Sequence, residues 1–450
     1  MQLPQDFIDE LSIVLGSDTK KYIDLFSEPS FRGISVNRLK TEPSALLELL
    51  PFSVEKSPFY RDGYYIPSDA QSVGNLALHH AGAFYVQEPS SQYAAELLDV
   101  RPGDRVLDLC AAPGGKSAQI ASLLGGKGLI WSNEVVKNRA NILLSNFERL
   151  GIKNGVVSSS RPDVLCPALA GYFDKILVDA PCSGEGMFRK DNSAIAEWSR
   201  EHVAACAVRQ ASILKSAVQA LRPGGTLVYS TCTYSPDENE MTAEAFLESC
   251  PEMEPFDFVS SVSRPTRLSN AARITPIERG EGSFAARFRK KEDAPLISSP
   301  PVKAEGRPGK TYNLKEKNKE VYSFLEDIFR EIPKEKVDII GDRIYLYPDD
   351  LPDMRGLGVI RAGVLAGEYV KGRIEPSHSL FASAKPSELN RVLDLSPDDQ
   401  CLSDFLHGVE IDCDGEKGFT GVAVAGMMLG FGKCSGGRLK NKYPKGLRIC

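Results

Sequence analysis

From residue 101 onward, apolar runs of strand length alternate with longer stretches of helical spacing. RVLDLCA predicts a first strand and KSAQIASLL its helix; GLIWSNE predicts a second strand and VVKNRANILLSNFERLG its helix. GVVSS reads as a short third strand and DKILVDAP as a fourth. A long helix from about Glu197 to Leu221 leads into a fifth strand, GTLVYST, and ARITPI with SFAARFRK reads as a closing antiparallel pair. Strand and helix in regular alternation predict an α/β fold, a doubly wound and mostly parallel sheet over 101–291. Residues 1–100 predict a mixed α/β extension, with a helix at FIDELSIVLG and a strand at GISVNRLK. EDAPLISSPPVKAEGRPGKT, residues 292–311, is rich in Pro, Ser and Gly and reads as a linker. Residues 312–376 predict an intermediate α/β domain, with a helix near KEVYSFLEDIFREI and strands at DRIYLYP and YVKGRIEP. Residues 377–450 predict a small β-rich module with a basic tail.

A chain of 450 residues accommodates two or three domains at about 150 residues each. Its 42% hydrophobic and 25% charged residues are those of a globular protein. No apolar run of about 20 residues predicts a membrane span, and MQLPQDFIDEL lacks the basic and apolar segments of a secretory signal. Ten scattered cysteines and five histidines offer little to a metal site, so free thiols in a reducing cytoplasm are expected. The net charge of −6 argues alone against nucleic acid, but its distribution does not. The tail gathers Lys433, Arg438, Lys440, Lys442, Lys445 and Arg448 without an acid, and RKDN at 189–192 and RFRKK at 287–291 add positive charge. Such patches suit a phosphate backbone, or else a merely solvated surface.

DLCAAPGGKSAQIA, beginning at Asp108, predicts a strand, a glycine turn and a helix, and glycines let backbone approach a ligand closely. Glu134 ends the second strand and Asp179 the fourth; ligands bind beyond such carboxyl ends. Neither G-x-G-x-x-G nor a Walker phosphate loop is present. Acids at three strand ends repel a nucleoside triphosphate and suit S-adenosylmethionine, whose sulfonium is cationic. The competing reading makes Asp108 and Glu134 helix caps or solvated strand ends.

Cys182 in VDAPCSGEG and Cys232 in STCTY follow the fourth and fifth strands. Beside a sulfonium, a thiolate has a use. Carbon 5 of cytosine is a poor nucleophile until a thiolate adds at carbon 6, which splits one hard step into easier ones. A carboxylate such as Asp179 can stabilise the activated ring. Free cysteines are more often small core hydrophobes, a reading that suits Cys166, Cys206, Cys250 and Cys413. Residue types alone leave packing and attack both open for Cys182 and Cys232.

DLCAAPGGK at 108–116, NE at 133–134 with Arg139, LVDAPCSGEGMFRKD at 177–191 and RPGGTLVYSTCTYSPDENE at 222–240 together resemble the Sun-type RNA cytosine-5 methyltransferases, and among them the RsmF-type enzymes of bacterial 16S ribosomal RNA. FYVQEPSSQ at 84–92 and GISVNRLK at 33–40 match upstream, and LKNKYPKGLR resembles the closing PUA-like RNA-binding module. The resemblance implies a class I, Rossmann-like methyltransferase with a mostly parallel seven-stranded sheet, an N-terminal RNA-binding extension and a C-terminal PUA-like module. It implies Cys232 as nucleophile and Cys182 as the cysteine needed for product release, with Asp179 between cofactor and base and Lys190 on the base or its phosphate. It places S-adenosylmethionine against Cys110, Ala111, Ala112, Pro113, Gly114, Gly115 and Lys116, with Glu134 on the ribose and Arg139 and Asp179 nearby. The substrate implied is 16S rRNA or the small subunit, acted on by a monomer without metal or membrane; transfer RNA is the alternative substrate, and a non-catalytic assembly factor the alternative role. Two places depart from the family pattern. SSSRPDVLCPAL supplies no clear adenine-contacting aspartate, and TPIERGEGSF lacks the usual histidine.

Overall fold

Parallel strands covered on both faces need apolar residues at every position, and the central strands here have them. In the computed structural model, which describes residues 3–295 and 314–449, five such strands and three helices build the centre. They are β1 (Arg105–Asp108), α1 (Gly115–Leu124), β2 (Leu129–Asn133), α2 (Lys137–Leu150), β3 (Gly155–Ser158), β4 (Phe173–Asp179), α3 (Arg200–Ala220) and β5 (Leu221–Thr231). β6 (Ala271–Ile274) and β7 (Ser283–Lys290) close the sheet, in the order β3-β2-β1-β4-β5-β7-β6. β1 to β5 pair in parallel; β7 runs against both β5 and β6. Successive residues serve opposite faces, as strand geometry requires. Leu107, Trp131, Ile176 and Tyr229 enter one core, while Val106, Ile130, Leu177 and Val228 enter the other.

The helices begin and end where their sequences dictate. α2 buries Ala140, Leu143, Phe147 and Leu150, a stripe at helical spacing, and stops at Gly151 with φ at 72°. α3 starts three residues later than Glu197. Ser199 accepts the His202 N–H at 3.1 Å and caps the helix, separating it from a short turn at Asn192–Glu197.

The seven strands expected are present within a sheet of ten. Arg264–Pro265 and Met253–Pro255 extend the β6–β7 side. Val359–Ala362, from the stretch expected to form a separate domain, pairs antiparallel with β3 and covers that otherwise open edge. The predicted linker at 292–311 falls outside the described residues from 296 on.

On the N-terminal side, Arg32–Val36 lies between Gly63–Ile66 and Phe84–Val86. On the C-terminal side, one antiparallel sheet joins Lys336–Ile340, Arg343–Tyr347, Val364–Val370 and Arg373–Pro376. A last five-stranded sheet spans 392–441. The two ends of the chain share a core: Ile34, Val36 and Phe84 pack in one cluster with Leu402, Phe405 and Leu429. Polar contacts secure the seam. Lys40 donates across it to the carbonyls of Ala382 and Met428, while Asn37 Nδ2 ties the N-terminal part to the end of α2, donating to the carbonyls of Gly82 at 2.8 Å and Leu150 at 2.9 Å.

Three histidines lie along this seam. Burial, then Arg149 and His80, pushes His79 down to about 3; burial, then Lys40, pushes His378 down to about 4. His80, at 2.9 Å from the Tyr443 hydroxyl, is lowered by burial and then Arg149. A histidine whose folded pKa lies below its ordinary 6.5 takes up protons more readily unfolded, so folding stability falls as pH drops from about 6.5 toward 4. Thermal unfolding midpoints should decline across that window, and the decline should be shallower in His79→Gln. Equal slopes for the variant and the unaltered chain would refute this origin.

Candidate active site

β4 and β5 run parallel in a register that sets Asp179 opposite Ser230, so the two strands end together. The loops leaving them carry Cys182 and Cys232 side by side. Their Sγ atoms are 3.1 Å apart, and the Cys232 N–H donates to Cys182 Sγ at 3.3 Å. Further contacts tie the loops together: Gly186 N–H donates to the Cys232 carbonyl at 2.8 Å, and the Ser183 and Thr233 hydroxyls meet at 2.9 Å. Gly186 allows this close approach: a Cβ there would sit 3.0 Å from the carbonyl oxygens of Cys232 and Gly282, and a larger residue would push the two loops apart.

Both thiols are half-buried, unlike Cys166, Cys206, Cys250 and Cys413, which lie in the interior as expected of packing residues. The contact with Cys232, reinforced by burial, pushes the Cys182 thiol well above its ordinary value. With one proton between them, either sulfur can donate to the other across this contact. Burial, then the field of Asp108, Asp179 and Glu134, holds Cys110 well above as well, which disfavours a thiolate there.

On the adjoining side, Asp179 binds two groups: Lys116 Nζ at 2.7 Å and the Ser230 hydroxyl at 2.7 Å. Burial opposes the charge on Lys116, but Asp179 outweighs it and the net shift is upward; Cys232 lies within the same field. Asp108 accepts from Ser117 at 2.7 Å, and Ser117 in turn meets Ser132 at 2.8 Å. The other Asp108 oxygen is buried with no hydrogen-bond partner, and burial pushes the carboxyl up to about 7. Glu134 is already engaged: it accepts the Val136 N–H at 2.9 Å and pairs with Arg139 at 3.1 Å. Arg139 also donates to the Ala112 carbonyl at 2.8 Å, which anchors the loop from Cys110 to Lys116. Gly114 has φ at 119°, a conformation that favours glycine, and a Cβ on Gly115 would sit 3.1 Å from Gln87 Cδ, so the turn packs closely against that side chain. An unpartnered carboxylate oxygen and three converging acids fit a cation with hydroxyl donors and not a polyphosphate.

Cys110, Lys116, Asp108, Glu134, Arg139 and Asp179 are thus brought together next to Cys182 and Cys232. Lys190 is placed differently. It is exposed on the turn beyond Phe188, while its neighbour Arg189 points inward to Glu281 at 2.9 Å. The sequence offers little signal for Ser117, Ser132 and Ser230, because serine near a strand end is common. Of the basic tail, four residues have partners within the chain. Arg438 pairs with Asp412 at 2.5 Å and Lys442 with Glu375 at 3.4 Å; Arg448 bonds the Tyr443 carbonyl and Lys433 lies over the Phe419 ring. Lys440 and Lys445 project into solvent.

Comparison with known proteins gives four family matches along the chain. Residues 95–289 match 16S rRNA methyltransferase RsmB/F, and 3–89 the N-terminal domain of 16S rRNA methyltransferase RsmF. Residues 323–383 match the first C-terminal domain of the RsmF rRNA methyltransferase, and 392–449 its PUA domain. The chain is 31% identical to ribosomal RNA small subunit methyltransferase F of Vibrio vulnificus over 99% of its own length and 97% of the relative. It is likewise 31% identical to the protein of that name from Erwinia tasmaniensis, over 99% and 96% of the two chains. A methyltransferase homologue from Pyrococcus horikoshii superimposes with a TM-score of 0.56 at 28% identity, covering 64% of this chain and all of that one (100%). NSun6 from the same organism, solved with SFG, shares the fold at a TM-score of 0.58 and 24% identity, over 64% and 99% of the chains.

Glu134→Ala removes a charged acceptor from the glycine-loop side. It is expected to weaken S-adenosylmethionine binding about 10- to 100-fold in a calorimetric titration, the range for a lost hydrogen bond to a charged group. An unchanged dissociation constant would remove Glu134 from the cofactor site.

Proposed function

Because the chain belongs to the RsmB/F family of 16S rRNA methyltransferases, we propose that it methylates carbon 5 of a cytosine in 16S ribosomal RNA through a covalent adduct on Cys232. As a member of that family it is an S-adenosylmethionine-dependent RNA methyltransferase. The observation that carries the finer reading is the meeting of Cys182 and Cys232, 3.1 Å apart, next to the Lys116–Asp179 pair.

When bound, S-adenosylmethionine supplies an electrophilic methyl group. The residues supply the rest. Cys232 acts as its thiolate. That thiolate forms a bond to carbon 6 of cytosine, and the ring electrons it displaces make carbon 5 the nucleophile that takes the methyl. Asp179, held by Lys116 and Ser230, faces the ring's polar edge and stabilises the charge that develops there. In release, the carbon 5 proton passes to solvent, the double bond re-forms, and the bond from carbon 6 to sulfur breaks with its electron pair returning to Cys232. A protonated Cys182 stabilises the departing thiolate with its S–H. Such thiols remain free in a reducing cytoplasm, where ribosomal RNA is the substrate.

Lys440 and Lys445 are proposed to bind the RNA backbone, which sets register without reading bases. Deleting the C-terminal sheets would not test this, because it would uncover the core they share with Ile34 and Phe84. The charge reversal Lys440→Glu with Lys445→Glu is the suitable probe. RNA affinity should fall, with the dependence of log affinity on log salt shallower by about 1 for each phosphate no longer bound. Cofactor affinity should stay constant; an unchanged salt slope would count against a docking role.

Cysteine variants test the adduct. Cys182→Ala with S-adenosylmethionine and small-subunit RNA should accumulate a denaturation-resistant protein–RNA band on a gel, and Cys232→Ala should form none. The reverse pattern would exchange their roles.

A further inference from the structure

Behind the two thiols lies a buried polar chain that neither cofactor binding nor nucleophilic attack accounts for. Gln210 in α3, Tyr229 in β5 and Glu238 in the loop after β5 are each 0% exposed. Gln210 Nε2 donates to Glu238 Oε2 at 2.7 Å and to the Pro181 carbonyl at 3.1 Å. The Ser183 N–H donates to the same Glu238 carboxylate at 3.1 Å. These partners fix the orientation of the Gln210 amide. Its nitrogen must face two acceptors, so its oxygen faces the Tyr229 hydroxyl, 2.9 Å away, whose single proton can go either to it or to the Glu238 carbonyl.

Pro181 and Ser183 are the residues on either side of Cys182. One buried carboxylate therefore holds both flanks of that cysteine: Ser183 directly, Pro181 through Gln210. Placing a carboxylate in the interior is costly, and burial raises its pKa, offset by its bonds to Ser183 and Gln210. A neutral amide at position 238 could not replace it. Its one oxygen would still accept from both neighbours, but its NH2 would replace the second oxygen, 3.3 Å from the Ser183 N–H, and set donor against donor. Glu238 also lies in the loop that begins at Cys232, so the clamp couples the two thiol-bearing loops.

We propose that Glu238, oriented by Gln210 and Tyr229, is a positioning residue that holds Cys182 against Cys232 for the release step. This rests on the proposed role of Cys182 in release. The step itself is unchanged: the bond from carbon 6 to Cys232 sulfur breaks, its electron pair returns to that sulfur, and the Cys182 S–H must already be touching it. A loop shifted by about 1 Å breaks that hydrogen bond, and displacements of this size slow catalytic steps by on the order of 100-fold. Attack by Cys232 forms no bond to Cys182 and takes no proton from it, so formation and release of the adduct can be read as separate steps.

The test uses the full chain, in vitro transcribed small-subunit RNA and S-adenosylmethionine, following adduct formation and decay on denaturing gels. Glu238→Gln and Gln210→Leu should form the adduct at close to the unaltered rate and lose it about 10- to 100-fold more slowly. Tyr229→Phe, a milder change that frees the Gln210 amide to turn, should show a smaller slowing in the same direction. Glu238→Gln added to Cys182→Ala should prolong the adduct no further than Cys182→Ala alone, as expected when one residue acts through the other. If Cys182→Ala accumulates adduct while Glu238→Gln and Gln210→Leu release it normally, the positioning role is overturned. Equal slowing of formation and release would also overturn it, pointing to a general structural role. If Cys182→Ala itself accumulates nothing, it is the underlying reading of Cys182 that fails.

Discussion

The parallel pairing of β4 with β5 is the constraint from which the site follows. Lys175 opposite Thr226 at one end and Asp179 opposite Ser230 at the other make the two strands finish at the same level. Because they run the same way, both following loops emerge at one edge, and the third residue beyond Asp179 meets the first beyond Thr231. β1 lies on the other side of β4, so Asp108 and the glycine turn open onto that edge as well. Slipping β5 by one residue would turn Tyr229 and Val228 into each other's cores and take Ser230 away from Asp179. The packing that forbids the slip thus also aligns the thiols.

Charge is apportioned over the same edge. Asp108, Glu134 and Asp179 converge there, with Lys116 and Arg139 as the adjacent cations. Asp179 is neutralised by Lys116 at close range and Glu134 by Arg139, which leaves Asp108 without a cation and its carboxyl near neutrality. A ligand carrying one positive charge would draw that carboxyl into its ionised form, whereas a phosphate chain would hold it protonated.

The central fold was legible because period-2 burial and helical stripes are local signals: every strand from β1 to β7 lies where its apolar run predicts. The cysteine pair was legible as a pair from the loops that carry it, but the 3.1 Å approach is a product of register and could not be read from spacing. Glu238 and Gln210 were invisible as partners, since 28 residues and a whole strand separate them and neither has an unusual neighbour in sequence. The cation in FRKD that turns inward is Arg189 and not Lys190, a choice made by the buried Glu281 on a distant loop. The tail looked uniformly basic, yet acids at Asp412 and Glu375, contributed by other segments, take up two of its charges. In each of these cases the deciding partner is remote in the chain.

The core shared between the two ends has a consequence for how the protein is made. Ile34 and Phe84 leave the ribosome early, with an apolar face whose covering residues, Leu402 and Phe405 among them, are translated roughly 300 residues later. At about 5–20 residues per second that face waits on the order of 15 to 60 s for its complement. The central sheet meanwhile can assemble from contiguous sequence. The nascent chain therefore carries an exposed apolar surface on its first sheet until the segment around Leu402 has been made.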